Sequence, residues 1–262
     1  MNSSHLAIIA SLASFALASG FYLHAFSSER FKVALNRTAY GLFIFATFLM
    51  THVSVNSMSQ GIHNVTSGFL LITVVAWITL LAQMFFKIQT AGTFISPIIT
   101  LITLVHLLTA NANHADVSEG PQGLLAFHIY SSVAGQAFAI LAMAMAILLL
   151  VQQRAMKKKQ LHRLLGSTLS LNALERALMT CIWAGFIFLS TGLVLGAIHT
   201  QFYANSPSQM NSKVVWALLV WTWYLLTLIT KNVFKAPIKR VAVMTFIGFG
   251  FMAFGFFGLL TD

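Results

Sequence analysis

Nine histidines, set against five acidic residues and one cysteine, are the residues of this chain with the most capacity for chemistry. An imidazole ligates a metal through one ring nitrogen while the other donates a hydrogen bond, and it also exchanges a proton near neutral pH. Two histidines stand out by placement. His128 opens the apolar stretch FHIYSSVAG and His199 closes the apolar stretch GLVLGAIHT, with a strongly basic linker between them. If the stretches are antiparallel helices, both imidazoles lie at the same end of the pair. Ser131, Ser132 and Gly135 follow His128 at three, four and seven residues, while Gly185, Gly192 and Gly196 share one helical face with His199. Small residues on a face admit either a neighbouring helix or a flat ligand, and helix packing alone explains many such stripes in membranes. A histidine at the end of each stripe is what this pair adds.

The elements that must hold these residues follow from composition. With 58% hydrophobic residues, 8% charged residues and a mean hydropathy of +0.83, the chain is too apolar to fold as a soluble domain of this length. A helix needs about 20 apolar residues to cross a hydrocarbon core of about 30 Å. Runs of that kind lie at about 5–26, 38–56, 66–86, 93–110, 123–151, 177–200, 214–230 and 241–260. The expectation is an all-α, polytopic membrane helix bundle of about eight transmembrane helices, forming a single integral membrane domain over 1–262 with a basic linker at 152–176. The stretch ALASG at 16–20 resembles a signal-peptide cleavage site. No basic segment precedes it, so it is read as part of a retained first span.

A net charge of +10 would point to nucleic acid in a soluble protein, but the distribution of the charge decides otherwise. Every lysine and arginine except Lys213 falls after an odd-numbered span. The positive-inside rule then places both termini outside the cytoplasm. On this topology His24 and His162 are cytoplasmic, and His5, His52, His63, His106, His114, His128 and His199 gather on the opposite side. Ionisable groups in or beside spans are costly and mark sites. His5, His63 and His114 are read as hydrogen-bonded interfacial side chains, and His128 and His199 as ligands. In the linker, Leu161, Leu164, Leu165 and Leu169 recur at helical spacing behind a basic run, as in a helix lying on anionic lipid.

Zinc would want three or four clustered ligands, and the spans hold no acid to support them. A haem asks for one or two imidazoles and an apolar, aromatic slot. The 23 phenylalanines, with Trp183, Trp216, Trp221 and Trp223, permit such a slot without diagnosing it, since belts and lipid-facing surfaces use the same residues.

From about Gly123 onward the chain resembles the cytochrome c assembly family of haem-handling membrane proteins, and within it the HemX-like/YpjD-like branch of eight-span proteins. The resemblance rests on FHIYSSVAGQAFAILAMAMAILLL, TGLVLGAIHTQF, SKVVWALLVWTWYLLTL and a Gly/Phe-rich last span. It implies that His128 and His199 ligate the iron of a non-covalent b-type haem, that His52 is a further candidate, and that Gly192, Gly196 and Ser132 line the cofactor. Haem-presenting members carry a tryptophan-rich outer loop ending in Trp-Asp, whereas QFYANSPSQMNSK here has neither residue. That departure favours an accessory in cytochrome c biogenesis or in setting tetrapyrrole-pathway enzyme levels, and the resemblance as a whole implies a non-enzymatic protein of the bacterial cytoplasmic (inner) membrane. Its implied partners are haem, the lipid bilayer, and other cytochrome c maturation proteins or a cytoplasmic tetrapyrrole-pathway enzyme. Two alternatives stay open: a quinone-reactive cytochrome b-like electron-transfer subunit, and a haem-free anchor regulating such an enzyme.

Overall fold

A computed structural model of the chain describes residues 3–27, 31–59, 67–86, 89–109, 122–157, 171–203 and 212–258. Every regular element there is helical: α1 (Ser3–Ser27), α2 (Lys32–Ser59), α3 (Ser67–Phe86), α4 (Gln89–Thr109), α5 (Gln122–Lys157), α6 (Leu171–Tyr203), α7 (Ser212–Asn232) and α8 (Ile238–Gly258). By length and composition, Leu6–Ala25, Lys32–Ser57, Gly123–Lys157, Leu171–His199 and Val214–Asn232 can cross a membrane. Phe69–Leu81 and Ile95–Leu104 are shorter apolar segments within the described residues. The expected all-α, multi-pass membrane fold is what the helices form.

The helices overrun the apolar segments that predicted them. α5 continues to Lys157 and α6 starts at Leu171, so both ends of the expected 152–176 linker are helical. Gln, Arg, Lys, Met and Leu are all good helix formers, and the edge of the hydrocarbon ends only the apolar run. Leu161, His162, Leu164, Leu165 and Leu169 lie outside the described residues, as do His63 and His114. Pro97 lies inside α4, which runs through it without interruption. In an apolar setting the alternative to a helix is a stretch of unpaired backbone, which is worse than one missing N–H.

The chain divides into two compact units, Met1–Ala115 and Asp116–Asp262. In the first, α1 lies against α2 and α4, and α3 against α4 and α2. Phe15 and Phe43 meet edge to face at 5.3 Å in its core. Buried hydroxyls are paired across helices: Ser19 with Ser96 at 2.8 Å, Ser54 with Thr73 at 2.9 Å, and Tyr22 donating to Gln83 Oε1 at 3.0 Å. Others donate back to the carbonyl four residues earlier, as Thr47 does to Phe43 and Thr103 to Ile99. That bond satisfies a hydroxyl where no water is available.

In the second unit α5 packs along α6 and also meets α8, and α7 bridges α6 and α8. Trp223 donates its indole N–H to the Met244 carbonyl at 2.8 Å and lies edge to face with Phe251. Trp221 donates to Ser190 Oγ at 2.8 Å and stacks on Phe186. Large apolar side chains such as Ile187, Val194, Leu226 and Phe246 point outward, as surfaces facing lipid do.

Candidate functional site

Close approach of α5 and α6 is set by small residues meeting in antiparallel register. A Cβ built on Gly192 would lie 2.6 Å from Ser132 Oγ, one on Gly135 2.7 Å from Leu189 Cγ, and one on Gly185 3.4 Å from Phe138 Cβ. Partner numbers fall on α6 as they rise on α5, which defines an antiparallel pair. Phe138 and Phe188 stack across the seam at 5.7 Å, and Ser131 Oγ donates to the Phe188 carbonyl at 3.2 Å.

One step further along this register lies His128. Its ring is laid across Gly196: a Cβ there would stand 2.7 Å from Cε1, 3.0 Å from Nδ1 and 3.5 Å from Nε2. Its Nδ1 is 2.7 Å from the Gly192 carbonyl oxygen. A carbonyl can only accept, so Nδ1 carries the proton and donates it. In neutral imidazole this leaves the lone pair on Nε2. A metal-ligating histidine is commonly held in this way, with a backbone carbonyl fixing tautomer and ring orientation through the nitrogen that does not ligate.

His199 lies on the same helix as Gly196, three residues beyond it, or about 4.5 Å along the axis. It is 8% exposed and makes interactions of its own. The two histidines therefore occupy the same end of the α5–α6 pair, as their positions in the chain required. The opposite end is marked by an ion pair between Lys231 Nζ and Glu175 Oε1 at 2.7 Å. Twenty-four residues of helix separate Glu175 from His199, about 36 Å, so the pair and the histidines sit across a membrane thickness from one another.

The stripe expected to admit a flat ligand is occupied, at Gly185, Gly192 and Gly196, by α5 side chains and the His128 ring. Gly192 and Gly196 act on His128, one by its carbonyl and the other by its missing side chain. Ser132 fills the space beside Gly192. The tryptophans are turned elsewhere: Trp216 and Trp223 face α8, meeting Phe254 and Phe251, and Trp221 meets Phe186 and Ser190 of α6. Trp216 and Trp223 are seven residues apart and so share a helical face. His52 belongs to the first unit, exposed on α2. His5 falls on α1 and His106 on α4.

Sequence reasoning missed the Gly192 carbonyl as the partner of His128, and it missed Glu175. The first had a signal: His128 and Ser132 are spaced i, i+4, as are Gly192 and Gly196, so in antiparallel register each small residue answers a larger one. The second was hidden by starting the sixth span at 177, six residues late. Among the described residues, no group of three or more His, Cys, Asp or Glu side chains is arranged to hold a metal ion. At this end of the α5–α6 pair the described residues bring His128 and His199, and one or two imidazoles are the donors that a haem iron takes.

No curated protein and no solved structure matches the chain significantly. Residues 65–261 match the family model described as Cytochrome C assembly protein. The match takes in α3 and α4 as well as the stretch from Gly123 onward that carried the resemblance. With both histidines of the α5–α6 pair and six of the eight helices inside it, the chain belongs to the cytochrome c assembly protein family, and its role lies in cytochrome c biogenesis.

Proposed function

We propose that this protein binds one haem, non-covalently, at the His128 and His199 end of α5 and α6, as a non-enzymatic accessory of cytochrome c biogenesis of the HemX-like/YpjD-like kind. The observation that carries the reading is the 2.7 Å contact from His128 Nδ1 to the Gly192 carbonyl. It commits the free lone pair to Nε2 and keeps the ring from rotating, which prepares the side chain for iron. His199, buried and one turn beyond Gly196, is the candidate for a second ligand to the iron. Bound there, haem would supply an iron centre and a hydrophobic macrocycle. The chain itself supplies orientation, through the Gly192 carbonyl and the Gly196 seat, and an apolar surround. Gly192, Gly196 and Ser132 thus serve the ligand through His128, and His52 remains a candidate in the first unit.

The distribution of charge supports the side. Lys231, Lys239, Arg240, Arg154 and Lys157 lie toward the end of their helices opposite the histidines, with Lys235 between α7 and α8 at that end, which the positive-inside rule assigns to the cytoplasm. The haem would then sit near the outer face, where cytochrome c is assembled.

The test is an absorbance titration of detergent-purified protein with haem. A Soret band that saturates at one haem per chain is expected, with at least tenfold weaker binding in His128→Ala. Absence of a Soret band at saturating haem refutes haem binding. A band unchanged in both His128→Ala and His199→Ala refutes the site.

A further inference from the structure

We propose that the corner between α7 and α8 is a binding site for the headgroup of an anionic phospholipid. The corner is short and internally bonded. After Asn232 ends α7, the N–H groups of Val233 and Phe234 both reach the Ile229 carbonyl at 2.8 and 3.3 Å, and Ala236 N–H reaches the Thr230 carbonyl at 3.2 Å. Lys235 has a φ of 51°, a left-handed backbone that glycine adopts without strain and that a side chain opposes. The residue held there is nonetheless a cation.

Depth follows from the two helices. Asn232 is the last residue of a membrane-crossing segment, and the chain is helical again at Ile238. Five residues between helices cannot carry the chain beyond the headgroup layer, which is roughly 5–8 Å thick on each side of the hydrocarbon. Into that layer the corner presents Val233, 68% exposed, and Phe234, 73% exposed. Lys235, within the corner, and Lys239 and Arg240, in the first turn of α8, are also exposed. No acid occurs from 231 to 240, and among the described residues Glu175 is paired with Lys231.

Two apolar side chains flanked by three cations select the occupant. A stable protein partner needs about 1,000 Å² or more of buried surface, far beyond what Val233 and Phe234 offer. A lipid meets both features at once, with its glycerol and upper acyl region against Phe234 and its phosphate against the cations. Each near-surface cation favours an anionic over a zwitterionic surface by about fivefold at low ionic strength. Shared among three exposed cations on one headgroup and partly screened by salt, a preference on the order of tenfold is expected.

The experiment is native mass spectrometry of the full chain in detergent, titrated with phosphatidylglycerol or phosphatidylcholine. Wild type should retain phosphatidylglycerol about tenfold better, and K235Q/K239Q/R240Q should lose that preference. Lys235→Gly keeps the fold, because glycine relaxes the left-handed backbone, and should lower the preference about threefold without lowering the melting temperature. Phe234→Ala should weaken both lipids equally. Equal retention of the two lipids by wild type, or an undiminished preference in the triple variant, would overturn the proposal. So would capture of an acidic peptide in place of phosphatidylglycerol.

Discussion

Replacing Gly196 by alanine tests the seat of His128 with a single methyl group. The new Cβ would stand 2.7 Å from Cε1 of the imidazole, and ordinary contact begins near 3.4 Å, so the ring must retreat by about 0.7 Å. If the retreat runs along the Nδ1–O axis, the 2.7 Å bond to Gly192 stretches past the range in which N–H···O bonds remain strong. Three effects then compete. Overpacking costs about 1–3 kcal/mol, the weakened hydrogen bond about 0.5–1.5 kcal/mol, and exchanging glycine for alanine in a helix returns about 1 kcal/mol. The net loss of stability is about 0.5–3.5 kcal/mol.

Ligand affinity should respond more strongly, because disturbing the partner that orients a metal-ligating histidine lowers affinity by about 10–100-fold. The assay is haem titration followed at the Soret band, with Gly185→Ala as the control. There the new Cβ meets Phe138 Cβ at 3.4 Å, an ordinary contact, so binding should stay within twofold of wild type. If Gly196→Ala binds haem like Gly185→Ala, the imidazole is not held for ligation by this seat, and the argument from the Gly192 carbonyl fails with it.

Tyr224 is 1% exposed and its hydroxyl has no hydrogen-bond partner among the described residues. Tyr224→Phe therefore removes an unmet polar group and should hold or raise stability, by up to about 1–2 kcal/mol in thermal melting. A clear loss would reveal a bond to that hydroxyl. In the first unit a Cβ on Gly92 would stand 2.6 and 2.8 Å from two atoms of the Tyr22 ring. Gly92→Ala should displace that ring from Gln83 and lower the melting temperature by an amount corresponding to about 1–3 kcal/mol. A neutral result would mean that α4 shifts freely against α1.

The membrane class, the all-helical fold and the placement of the helices could be read from the chain because each depends on local quantities. An apolar run long enough to cross hydrocarbon must be helical there whatever surrounds it, since no water satisfies its backbone. The same reading placed His128 and His199 at one end of a helix pair, because the alternation of spans is a matter of counting. It set the ends of the helices less well. Residues 152–157 and 171–176 mix polar and charged residues with apolar ones yet are helical, and Glu175 gains its partner Lys231 only because α6 begins early.

What the residues became was decided by tertiary contact. The stripe through Gly185, Gly192 and Gly196 was visible as a stripe, but a stripe does not name its occupant: a helix and a flat ligand both want a bare backbone. The register of α5 on α6 settles it, setting Ser132 against Gly192 and the imidazole against Gly196. Trp216, Trp221 and Trp223, equally available from composition to wall a ligand, face α6 and α8 because their helical phase on α7 turns them there. Periodicity and charge, which act along the chain, determined what kind of protein this is and which end of it carries the histidines. The proton on Nδ1 of His128, and with it the direction of the lone pair on Nε2, came from a carbonyl 64 residues away, and only the fold could bring that carbonyl within 2.7 Å.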